Sequence, residues 1–160
     1  MTDPVARQLH DARQLQRLRD LRERKALAAL HLAEGEVAAA EQAVAERQRA
    51  MERLQRERDQ LSQRIVTDCA PAMGRLSAYV SATQEDLDDQ LERTEYALID
   101  DEDALSAARE KAAEARAAWL RAVSQNGSAQ TLVDDARKAV RRAHDTRQER
   151  EDAPAPITHL

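Results

Sequence analysis

Apolar residues recur along this chain in alternating steps of three and four. From Ala33 the series runs Val37, Ala40, Val44, Arg47, Met51, Leu54, Arg58, Leu61 and Ile65. That period draws one stripe down one face of an α-helix, the heptad seam of a coiled coil. The two arginines in it can lay their aliphatic stems along the seam while their heads reach water. A second series runs Met73, Leu76, Val80, Thr83 and Leu87. A further step of four to Leu91 is a stutter. The seam then continues through Thr94, Leu98, Asp101, Leu105, Ala108, Ala112, Ala115, Trp119 and Ala122.

Helix-breaking residues are few and grouped. Thr2-Asp3-Pro4 places a capping side chain before a proline at the first helical position. Asp68-Cys69-Ala70-Pro71, with Gly74 beyond it, is the one proline-containing interior break. Pro154 and Pro156 mark a frayed tail. The Gln125-Asn126-Gly127-Ser128 stretch is different, because the seam keeps phase across it as Asn126, Ala129, Val133, Ala136, Val140 and Ala143. A loop has no reason to preserve that phase, so Asn126-Gly127 reads as a weak point or kink in one long helix. A helix stop followed by a short separate helix is the rival reading.

Two helices joined by a short turn fold back antiparallel. The predicted architecture is therefore all-α, an elongated antiparallel two-helix coiled-coil hairpin. Its predicted parts are helix 4–68, turn 69–71 and helix 72–150, in one domain over 1–152, with a disordered tail at 153–160. The first helix would span roughly 100 Å. With the turn near 70, residue i should face residue 140 − i. The stretch from Glu85 to Asp103, rich in acidic residues, would then lie against Arg47, Arg49 and Arg53, and opposite charges favour that pairing.

Composition narrows the function classes. The 160 residues carry 34% charged and 2% aromatic residues, with no Phe. So little bulk argues against a compact globular core, and the dominance of strong helix formers argues against disorder. The net charge of −5 leaves no electrostatic footprint for nucleic acid. A lone cysteine, Cys69, reads as cytosolic. No signal peptide or membrane-spanning apolar run is present, so a soluble protein without membrane insertion is expected.

Nothing in the sequence points to catalysis. The run Asp100-Asp101-Glu102-Asp103 cannot converge on one ion from successive helical positions. His10, His31, His144 and His159 lack metal-ligand spacing, and no phosphate loop or nucleophile elbow occurs. No enzyme, metal or cofactor is expected. Trp119 falls in the seam, whereas Tyr79 and Tyr96 fall off it as candidate partner contacts. Ala26 to Ala33 is apolar nearly all round, more than one seam can hide. Leu27 and Leu30 there are the expected outward anchors. Arg19, Arg22, Arg24 and Lys25 adjoin them and would sit opposite Arg116 and Arg121, with Arg137, Arg141 and Arg142 extending the same basic end. A charged rim around an apolar anchor is the form of an interface.

The chain resembles the YscO/FliJ-type central-stalk family of type III secretion and flagellar export. The likeness rests on the opening Leu18-Arg19-Asp20-Leu21-Arg22-Glu23-Arg24-Lys25-Ala26-Leu27-Ala28-Ala29-Leu30 and on Ala136-Arg137-Lys138-Ala139-Val140-Arg141-Arg142-Ala143. It covers about residues 10 to 150. It implies a cytoplasmic protein at the periphery of an inner-membrane export complex. The implied partners are a hexameric secretion ATPase, an export-gate membrane protein and export chaperones. The free chain is expected to be monomeric, its seam satisfied internally. The alternative is a generic structural or chaperone-like coiled-coil adaptor in another cytosolic assembly.

Overall fold

The structure, a computed structural model, describes residues 3–67 and 73–153. It contains two helices, α1 (Pro4–Thr67) and α2 (Met73–Asp152). They pack against each other as a helical hairpin. Asp3 caps α1: its Oδ1 accepts from the Val5 amide at 3.1 Å. Pro4 fills the first helical position, where no amide hydrogen is needed. The expected turn at 69–71 lies outside the described residues, as does the expected tail from 154 onward.

α2 runs unbroken through Asn126-Gly127. No glycine has positive φ, and an added Cβ at Gly127 would meet nothing within 4 Å. The glycine therefore sits in ordinary helical backbone. Of the two readings of this stretch, the continuous helix is the one observed.

The chain divides into two compact units. The terminal unit joins Met1–Leu30 with Glu114–Leu160, and the mid-chain unit is His31–Ala113. In the mid-chain unit Ala33, Val80, Leu87 and Leu91 are buried. All four were expected on the seam or its stutter. Leu30, Ala129 and Val133 are buried in the terminal unit. There the α1 seam continues towards the N-terminus through half-buried Ala26, Glu23, Arg19, Gln16, Ala12, Leu9 and Val5. Three of these are polar, which is why apolar periodicity alone did not reveal this half of the seam.

The register differs from the expected one. In the mid-chain unit Arg47 meets Asp101 at 3.0 Å, Arg58 meets Asp88 at 3.2 Å, Glu41 meets Arg109 at 3.1 Å and Glu36 meets Lys111 at 2.8 Å. In the terminal unit Asp3 meets Arg147 at 2.7 Å and Glu23 meets Asn126 at 2.6 Å. Gln16 and Arg19 donate to Gln130 and Gln125. Residue i thus faces about 147 − i, one heptad from the expected 140 − i. A shift of one heptad leaves every seam position on the seam, so apolar phase cannot distinguish the two registers. The polar partners can. By the same relation Val80 faces Thr67, the last described residue of α1. Residues 74–79 are accordingly exposed, Leu76 among them despite its seam phase.

Candidate functional site

The terminal unit holds the residues singled out in the sequence as a partner surface. The structure turns them in different directions. Leu30 is 5% exposed and belongs to the core. It is no outward anchor, because the seam phase that runs through Ala33 and Val37 also passes through position 30. Leu27 is half-buried. Arg19 also lies on the seam and donates to Gln125. Arg24 is exposed and pairs with Asp20 one turn back at 2.8 Å. Arg22 and Lys25 are exposed and pair with nothing among the described residues.

Across the hairpin, these arginines do not meet Arg116 and Arg121. Arg19 meets Gln125 instead, and the neighbouring seam residues Glu23 and Gln16 meet Asn126 and Gln130. At Arg19 the cross-hairpin neighbour is thus an amide and not a like charge. Arg137, Arg141 and Arg142 are exposed on α2, and Arg137 leans on Asp134 at 3.5 Å. They lie about 22 to 30 Å along the helix from the residues facing Lys25. They form a separate basic region, not an extension of the first.

Exposed leucines lie where the sequence reading did not look. Leu18 and Leu21 are 54% and 60% exposed. They stand on the α1 face turned away from α2, in the 4-3 phase Gln14, Leu18, Leu21, Lys25, Ala28. Arg17, Arg22 and Lys25 surround them, all exposed. The signal was available: a second stripe in heptad phase, roughly opposite the first on the helical wheel. Elsewhere in this unit Ala12, Leu15, Leu132, Ala136 and Ala139 line a shallow groove of about 660 Å³, with Asp11 and Asp135 at its edge.

No protein-family model, curated protein or solved structure matches this chain. What the surface can do therefore rests on its own chemistry. Among the described residues no group of three or more His, Cys, Asp or Glu side chains could hold a metal ion. No described helix is long and apolar enough to cross a membrane.

Charge divides unevenly between the units. The terminal unit carries 15 basic and 11 acidic residues, a net of +4, and the mid-chain unit 10 basic and 19 acidic, a net of −9. In the mid-chain unit the acidic stretch on α2 uses Asp101 and Asp88 to reach Arg47 and Arg58. The expected partners Arg49 and Arg53 are exposed and unpaired among the described residues, since they stand off the seam while Arg47 and Arg58 lie on it.

Proposed function

We propose that this chain is a central-stalk or adaptor protein of a bacterial type III secretion export apparatus. In this reading the terminal unit engages a hexameric secretion ATPase, and the chain links that ATPase to an export-gate membrane protein and serves export chaperones. It works in the cytoplasm, at the periphery of an inner-membrane export complex, and its task is binding, not catalysis. One observation carries the reading. Leu18 and Leu21 are exposed on α1 and ringed by the exposed cations Arg17, Arg22 and Lys25. An apolar centre with a basic rim suits a partner that presents an acidic rim around an apolar patch. Hairpin packing supports it too, since a seam closed within one chain leaves the outer helix faces free for other proteins.

The test is stimulation of a purified type III secretion ATPase. The native chain is expected to raise its turnover. Arg17→Glu, Arg22→Glu and Lys25→Glu together should abolish that rise with helicity unchanged by circular dichroism. A native chain that leaves turnover unaltered, or a folded triple variant that stimulates fully, would refute the reading.

A further inference from the structure

The mid-chain unit carries a second outward stripe, on α2. Glu85, Asp89, Glu92, Tyr96, Ile99 and Asp103 follow each other in steps of four and three, on the face turned away from α1, and all are exposed. Tyr96 and Ile99 are 64% and 53% exposed. Asp100 borders them. None of the five carboxylates pairs with a cation among the described residues. Like charges stacked at such spacing on one helix repel one another, and Arg93 is the one cation among them, so cations from outside would relieve the repulsion.

The α1 stripe of the terminal unit is its complement. It has the same 4-3 spacing and a pair of exposed apolar residues at a step of three (Leu18 and Leu21), flanked by Lys25 on the stripe and by Arg17 and Arg22 beside it. We infer that these two stripes are the two halves of one contact between copies of the chain. The α1 outer face of one terminal unit docks on the α2 outer face of another copy's mid-chain unit. Equal spacing lets Leu18 and Leu21 interdigitate with Tyr96 and Ile99 as in a coiled-coil seam. With the two helices antiparallel, Leu21 lies against Tyr96 and Leu18 against Ile99, so Lys25 meets Glu92 and Arg17 meets Asp100. The internal seam needs no second copy, so this association is reversible and governed by salt. It occupies the same α1 face as the partner in the functional proposal, so the two compete. It does not depend on that proposal.

Sedimentation equilibrium at rising concentration tests it. At about 0.01 M salt, where charges act over about 30 Å, the weight-average mass should climb above that of one chain. At about 1 M, where they act over about 3 Å, it should fall back. Arg17→Glu with Lys25→Glu should abolish the association, and so should Glu92→Lys with Asp100→Lys. All four substitutions in one chain should restore it. In a mixture of Leu21→Cys and Tyr96→Cys chains, both lacking Cys69, disulfides should form between the two kinds. Three outcomes would overturn the inference: a native chain of single-chain mass throughout at low salt; association that persists in both reversed pairs; or a quadruple variant, helical by circular dichroism, that stays monomeric.

Discussion

Trp119 shows how a single side chain can sit on the seam without being wholly satisfied there. Its ring is half-buried, yet its indole Nε1 is sealed from solvent with no partner among the described residues. A buried donor left unpaired costs about 1–3 kcal/mol, which sets the unmet N–H against the packing of the ring. Trp119→Phe removes the donor and keeps an aromatic, so it should shift stability by less than about 1 kcal/mol. Trp119→Ala should cost about 3 kcal/mol or more. Urea melts of the two variants separate the terms, and a Trp119→Phe loss well above about 1 kcal/mol would mean that the orphan N–H is not costly. Gly127 offers the converse case. It lies inside α2 in helical backbone with room for a methyl group. Gly127→Ala should therefore stabilise the helix by about 0.5–1 kcal/mol, read as a raised melting temperature. A drop would mean that the position is strained in a way the backbone does not show.

Between elements, the question is register. Val44 and Leu105 line one groove in the mid-chain unit and fit the 147 − i relation. Val44→Cys with Leu105→Cys, in a Cys69→Ser background, should close a disulfide within one chain. Val44→Cys with Tyr96→Cys, which fits 140 − i, should not. The reverse result would restore the register read from the turn. What the sequence could and could not disclose follows from the same geometry. Apolar phase located the seam of both helices over most of their length, including Val133, which is wholly buried, and the stutter at Leu87 and Leu91. It carried α2 across Asn126-Gly127. It could not choose between registers one heptad apart, since both bury the same positions. It also stopped short on α1, because Gln16, Arg19 and Glu23 hold seam positions without being apolar. Those omissions misplaced the candidate surface: Arg19 and Leu30 face inward, while Leu18 and Leu21, never singled out as exposed, face outward.

For the molecule as a whole, charge is the organising quantity. Ion pairs between the helices are exposed or half-exposed, and such pairs contribute at most about 1 kcal/mol each. The mid-chain unit meanwhile holds a net charge of −9. Self-repulsion should therefore outweigh pairing at low ionic strength. At protein concentrations low enough to suppress association, adding salt from about 0.01 M to about 0.15 M should raise the melting temperature. A fall would show that the mid-chain ion pairs matter more than the unpaired carboxylates.

The link between Asn126 and Glu23 has a consequence for how the protein ages. In a loose chain, an asparagine before glycine is the dipeptide most prone to lose its side-chain amide, as the next backbone nitrogen swings round to attack it. Here helical backbone directs that nitrogen into the helix, and the Asn126 amide group is held at 2.6 Å from the Glu23 carboxylate. Deamidation must therefore wait for the helix to open, and its rate becomes a clock for that opening. Once it occurs, the resulting Asn126→Asp change sets a second carboxylate against the first, with the hydrogen bond gone and repulsion in its place. Damage at this site should thus promote further opening. In mass spectra of stored protein, Glu23→Gln should slow any such acceleration while leaving the initial rate set by the helix.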